Sequence, residues 1–554
     1  MSRSLTPALY GAVLLALVGV PMVWSLWGAA VAGTDTAGWV RLSQDPQFWP
    51  SLGMSVGTAL TATTLALAAS AWIVSRSFGQ TVWPRWAQRL PSLLAVPHAA
   101  FAIGFVALLA PSGWVLRALS PWATGLQSPP AWASTQDPWG VGLVAVLVLK
   151  EIPFLLWTAM AYLQQPDVAR RLQAELRLAH TMGYAPHRAW WCVVWPQLMP
   201  RLALPVLAVW AYGLTVVDMA LVAGPTSPPT LAVLAWQWLQ DAAPETQAQG
   251  AAAAWALAGC VALGAALLWW GARLSVWKRL WTAGVPAYHA QPTPTRTGAW
   301  QLHVLTAVYA VVLLALAIGS VSGYWPFPSL WPHSLSTAAW ASVLGSASTL
   351  GTTVALALVS AGTALVWAVL WLEFAPPAWH QRAQPLLFMP LVLPAVLWVL
   401  GLHRLALAWD WDAQASGLWL AHSLASLPYV VLALAGPYAG FDARLGQLSA
   451  TLGRSRWAYL SQVKWPLLKA TLASAFAIGF AVSVAQYLPT LYVGAGRFST
   501  VSTEAVNLAA GGQRSLTAAY AGLQWVLPVA LFTVAHWLGR ARTFRTNAMA
   551  NPAQ

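Results

Sequence analysis

Charge is the scarcest resource in this sequence. Its 554 residues include only 28 Lys and Arg and 14 Asp and Glu. A water-soluble fold of this length needs far more charged surface, so a soluble globular protein is excluded. Cysteine is nearly absent. Cys192 and Cys260 stand alone, which rules out a disulfide framework. Neither Cys-x-x-Cys nor His-Glu-x-x-His occurs and the ten histidines are scattered, so a metal site has no ligand pattern. There is no Gly-Lys pair, hence no Walker A phosphate loop and no ATPase site of its own. No Ser/His/Asp set or carboxylate pair reads as catalytic, and no cofactor motif is present.

Apolar residues are what the chain has in abundance, at 58%. They gather in runs of about 20 residues, long enough to cross a hydrocarbon core of roughly 30 Å. Six spans are predicted in each half. The first six lie near 7–29, 50–75, 91–111, 139–163, 198–223 and 249–271. The second six lie near 302–324, 338–372, 385–409, 415–437, 467–492 and 516–538, the run 338–372 being long enough to tilt. The N-terminal run reads as a retained first helix rather than a cleaved signal peptide, whose apolar region would be shorter. The predicted fold is an all-α integral membrane protein with about twelve transmembrane helices, arranged as two parallel six-helix repeats.

The net charge of +14 would suggest nucleic acid in a soluble protein, but no basic run is interleaved with stacking aromatics. Membrane proteins collect Lys and Arg in cytoplasmic loops. With the N-terminus inside, Arg170, Arg171, Arg177 and Arg188, Arg444, Arg454, Arg456, Lys464 and Lys469, and the basic C-terminus all fall on the cytoplasmic side. Few basic residues, Arg41, Arg117, Arg404, Arg497 and Arg514, are left outside. Both termini are therefore predicted cytoplasmic. The 38 Trp suit interfacial belts in contact with membrane lipid.

An even number of spans per half makes the repeats parallel rather than inverted. The predicted domains are 1–280 and 301–554, joined by a polar, Pro-rich cytoplasmic linker at 281–300. Pro97 to Gly104 and Pro394 to Gly401 share a spacing of seven in the third spans. Residues 61–67 resemble 350–356 in the second spans, and Pro153-Phe154 matches Pro428-Tyr429 in the fourth.

The strongest repeat is a loop. Leu178-Ala179-His180-Thr181-Met182-Gly183 and Val193-Val194-Trp195-Pro196-Gln197-Leu198 recur, 270 residues on, as Leu448-Ser449-Ala450-Thr451-Leu452-Gly453 and Val463-Lys464-Trp465-Pro466-Leu467-Leu468. Seven of 21 positions coincide without a gap. Each copy predicts a basic amphipathic helix ended by glycine, which tolerates the left-handed cap. A second short helix follows, and proline then opens the next span.

Glycine and proline 13 apart, after an amphipathic segment and ahead of the fifth span of each half, resemble the EAA loop of bacterial ABC-transporter permeases. The exits Trp195-Pro196-Gln197-Leu198 and Trp465-Pro466-Leu467-Leu468 resemble the family's as well. The resemblance covers nearly the whole chain. It is to the fused, double-length permeases of binding-protein-dependent importers, in the iron(III), thiamine and polyamine group. The second half, through 485–498, looks closest to YnjC-type permeases.

The resemblance implies a translocation path worked by alternating access and coupled to a separate cytoplasmic ATPase, in two copies. It also implies a periplasmic protein that delivers a small-molecule or ion substrate at an inner membrane. The coupling positions it assigns are Arg177, Ala179, Gly183 and Pro196 in one half, and Gln447, Ser449, Gly453 and Pro466 in the other. Arg177 and Gln447 stand where the family carries glutamate, with Glu175 nearby but out of register. For the path it points to Asp218, Gln486 and Tyr487. Lys150 and Glu151, mid-span in the fourth helix, face the bundle or an interface, and being adjacent they point about 100° apart and need not pair. The alternative function is an ion-gradient-driven secondary transporter, for which Glu151 and Asp218 are the available acids.

Overall fold

The computed structural model describes residues 5–80, 83–274 and 300–540. Among them every regular element is helical. The spans of the first half are Leu5–Gly33, Phe48–Ser77, His98–Leu109, Val141–Leu163, Trp195–Thr215 and Pro244–Arg273. Those of the second half are Trp300–Ser320, Ala347–Phe374, Ala395–Ala408, Ala415–Ala439, Lys469–Val484 and Arg514–Arg540. Ala395–Ala408 has 14 residues and spans about 21 Å. It is short because Pro377, Pro385, Pro390 and Pro394 cut the preceding run into three brief helices. The expected linker 281–300 lies outside the described residues except for Trp300, which starts a helix.

Three expected spans differ in detail. The run 338–372 is not one tilted helix but breaks at Ser346 into Ala338–Gly345 and Ala347–Phe374. The fifth spans stop early, at Thr215 and Val484, and short helices Asp218–Ala223 and Leu488–Val493 follow. The short helices start 270 residues apart, so the irregularity belongs to the repeat. The likeness of 61–67 to 350–356 is not the structural register. Ser55 Oγ accepts the Leu231 amide (2.8 Å) and Thr353 Oγ1 accepts the Val501 amide (2.9 Å), so Ser55 corresponds to Thr353.

The halves interlock. The first span of each packs along the third span of the other. The Pro-to-Gly spacing serves this exchange: Pro97 and Pro394 cap the third spans. Two turns on, Gly104 and Gly401 let the opposite helix approach. A Cβ on Gly104 would lie 2.7 Å from Val312 Cγ1 and 2.8 Å from its carbonyl oxygen, and one on Gly401 would collide with the Ser25 carbonyl. Tyr309 of the second half donates to the Leu149 carbonyl (3.1 Å), and Trp367 Nε1 to the Leu14 carbonyl (2.9 Å). Backbone oxygens do not rotate away. Gly104→Ala and Gly401→Ala are therefore each expected to cost about 1–3 kcal/mol and to lower the melting temperature in detergent. Gly436→Ala, whose methyl meets nothing within 4 Å, should not.

Candidate functional site

The repeated loops fold as matched helix–glycine–helix knobs. In the first, Pro166–Thr181 starts with proline in its first turn and Asp167 against the positive end of the helix. In the second, the shorter Ala443–Thr451 is capped by Asp442, whose carboxylate accepts the Arg444 amide (2.9 Å). Both helices end the same way. Gly183 (φ +88°) and Gly453 (φ +69°) adopt the left-handed conformation. Tyr184 N–H then bonds the Ala179 carbonyl and Arg454 N–H the Ser449 carbonyl, each at 3.1 Å. Gly183 N–H and Gly453 N–H reach the carbonyls of His180 and Ala450, each at 3.0 Å. This paired bonding satisfies carbonyls that a bare helix end leaves open.

Ala179 and Ser449 are thus the buried, turn-closing positions of the knobs. Arg177 and Gln447 are exposed. Beside them, one turn apart on a single helix face, stand Leu178 and Met182 in one knob, and Leu448 and Leu452 in the other. Their exposures are 62%, 58%, 57% and 70%. Large apolar side chains presented in pairs, in register, on two copies of one motif form a surface that lacks its cover. Both knobs lie between the fourth and fifth long helices of their halves.

Pro196 and Pro466 stand in the first turn of the next helices, Trp195–Thr215 and Trp465–Leu467, as expected, but no gap precedes them. Pro186–Ala189 and Arg456–Tyr459 run on through one wide turn each, 190–194 and 460–464. There Trp195 N–H reaches back to the Trp190 carbonyl and Trp465 N–H to that of Leu460. The extra residue makes room for the Pro196 and Pro466 rings, which would clash with a carbonyl four residues back in a regular helix. The first hairpin then continues directly into its span, whereas the second bends by 75° at Leu468.

Glu175 is occupied inside the first knob. Its Oε2 accepts Gln197 Nε2 (2.7 Å), and Arg171 lies 3.8 Å from its other oxygen. One residue that sequence reasoning passed over, Glu373, binds the second knob. Its Oε2 is 2.6 Å from Lys464 Nζ, and its Oε1 is 3.3 Å from Arg456 Nη2.

Deeper in the bundle, the two broken fifth spans face each other. Asp218 opens the short helix after the first break and sits within electrostatic reach of the Tyr212 and Tyr487 hydroxyls. Tyr487 donates to Asn507 Oδ1 (3.1 Å), and its ring lies 6.5 Å from that of Trp236 in the first half. Gln486, in the break itself, donates to the Val482 carbonyl (3.2 Å). Tyr487 is thus brought to the first half at Trp236. Lys150 and Glu151 are both buried, not interfacial, and do not bridge one another. Lys150 Nζ donates to the Val96 carbonyl (2.7 Å) and lies over the rings of Phe101 and Tyr309. Glu151 Oε1 is 3.9 Å from His98 Nε2.

Two interlocked halves of matching helix order each carry the same exposed knob and a broken fifth helix. Ten helices among the described residues are long and apolar enough to cross a membrane, or eleven counting the bent pair. This is the architecture of a double-length membrane permease. No protein-family profile matches the chain. It is 34% identical, over 538 residues and 94% of each protein, to the inner membrane ABC transporter permease protein YnjC of Escherichia coli (strain K12). The chain belongs to the ABC-transporter permease family. It is an inner-membrane transport subunit without an ATPase site of its own, and ATPase and substrate-binding partners go with that family in general.

Proposed function

We propose that this chain is the complete transmembrane path of a binding-protein-dependent importer. Its two knobs, carrying Arg177, Ala179, Gly183, Pro196, Gln447, Ser449, Gly453 and Pro466, face the cytoplasm and dock into two copies of an ATPase. Both termini are cytoplasmic, and a periplasmic protein delivers a small-molecule or ion substrate to the outer loops. The observation that carries this reading is the paired exposure of Leu178 with Met182 and Leu448 with Leu452 on turns of identical hydrogen bonding. One motor surface met twice, by two loops of one chain, accounts for a repeat kept in register. Purified chain reconstituted with its co-expressed ATPase should stimulate ATP hydrolysis, and transport should stop when ATP is withheld.

Asp218, Gln486 and Tyr487 line the path in this reading. Asp218→Asn is expected to lower uptake about tenfold while leaving basal ATP hydrolysis within twofold, measured in proteoliposomes. Unchanged uptake and substrate preference would remove Asp218 from the path. The ion-gradient alternative draws on the proximity of Glu151 and His98 in the bundle interior. It predicts uptake by the chain alone under an imposed proton or sodium gradient.

A further inference from the structure

Glu373 stands one residue before the end of the second span of the second half, Ala347–Phe374, and its side chain is 8% exposed. Two cations of the second knob converge on it. Lys464 Nζ, itself on a side chain only 13% exposed, bonds Oε2 at 2.6 Å. Arg456 Nη2 bonds Oε1 at 3.3 Å and the Glu373 backbone carbonyl at 2.6 Å. The same two cations lie over aromatic rings. Arg456 covers Phe374 (4.6 Å), and Lys464 covers Tyr438 (4.6 Å) and Phe441 (5.7 Å). Trp465 Nε1 donates to the Tyr438 hydroxyl at 3.1 Å, tying the fourth span into the same node. Charge-assisted bonds at low exposure are short and directional, and losing one partner strands the other.

The first half carries other residues at the matching positions. The register that pairs Ser55 with Thr353 puts Ser75 in place of Glu373, and the Ser75 hydroxyl bonds only the Trp72 carbonyl (2.7 Å). The 270-residue register puts Pro186 in place of Arg456 and Val194 in place of Lys464. Within the first knob, Arg171, Glu175 and Gln197 contact one another. The second hairpin also turns by 75° before its span, while the first runs on.

We infer that the two knobs are mechanically unequal and that Glu373 is a positioning residue for the second. It fastens that knob to the second and fourth spans of its half, so a push on the knob moves those spans as one body. The first knob transmits its push along its own helix into the fifth span. This inference rests on the reading that the knobs engage an ATPase.

The test uses the full chain in complex with the ATPase that co-purifies with it. In a chain with Cys192→Ser and Cys260→Ser, spin labels at Trp49→Cys, at the start of one second span, and Leu344→Cys, in the short helix just before the other, both exposed, report separation of the halves when ATP and vanadate are added. In the otherwise native chain the distance is expected to change. Glu373→Gln should retain the ATPase and hydrolyse ATP within twofold of the native rate, yet lose most of the distance change. Glu373→Asp should keep it, and so should Glu175→Gln in the first knob. A full distance change in Glu373→Gln overturns the inference and leaves docking intact. Absence of bound ATPase on the native chain overturns docking and this inference with it. Should Glu373→Gln fail to insert, Arg456→Gln at an exposed position carries the test. It keeps the Lys464 pair and is expected to reduce the distance change about twofold, and an unaltered change overturns the inference.

Discussion

Replacing Leu178 and Leu448 together by glutamate is expected to abolish ATPase binding while the chain inserts and folds normally. The two side chains are 62% and 57% exposed, so the fold spends little on them. Surface changes away from packed features usually stay within about 0.5 kcal/mol. Docking is a different matter. Covering a leucine is worth about 1.5–3 kcal/mol, and a carboxylate placed in an apolar contact adds a desolvation cost. Over two knobs the loss is on the order of 4–6 kcal/mol, or roughly a thousandfold to ten-thousandfold in affinity. The check is co-purification of the ATPase with the Leu178→Glu/Leu448→Glu chain at normal expression. Retention of the ATPase at native stoichiometry would mean that this face of the knobs is not the contact.

Changing Gly453 separates backbone from volume. Nothing lies within 4 Å of a Cβ added there, so any side chain fits in space. What Gly453 supplies is its left-handed backbone, φ +69°, which an ordinary L-residue adopts at a cost of about 1–2 kcal/mol and a β-branched one at more. Gly453→Val should therefore undo the turn that brings Arg454 N–H to the Ser449 carbonyl, let the knob swing, and reduce ATPase stimulation about tenfold. Gly453→Asn, which enters that region readily, should keep more than half of it. Hydrolysis rates of the reconstituted complexes decide the matter. Equal loss in both variants would point to steric exclusion by the partner instead.

The legible part of this protein is the part encoded by local runs and spacing. Apolar stretches placed the spans because a buried backbone must bond to itself within a helix. Glycine and proline marked the knobs because the left-handed turn and the wide turn each need that residue. Ala179 and Ser449 followed from register, and both turn out to close the glycine cap. Other features were hidden for physical reasons. The break at Ser346 falls in the short cluster Gly345-Ser346-Ala347-Ser348-Thr349, which a window of about 19 residues averages into the apolar run around it. The exchange of first spans is a choice of partner, and one apolar helix face resembles another. The shared spacing from Pro97 to Gly104 and from Pro394 to Gly401 marked a close approach without naming what approaches. Glu373, more than 80 residues from the charges it binds, looks in sequence like any acid at the edge of a span. Glu175 was visible but out of register, and Gln197 explains why it need not face outward.

The most direct test of the central claim is accessibility. Cysteines placed singly at Leu178 and Leu448, in a chain with Cys192→Ser and Cys260→Ser, can be labelled with a membrane-impermeant maleimide in right-side-out and inside-out vesicles. Both positions should react only in inside-out vesicles, and both should be protected when the ATPase is bound. Labelling from opposite faces, or equal reaction with and without bound ATPase, would contradict the account.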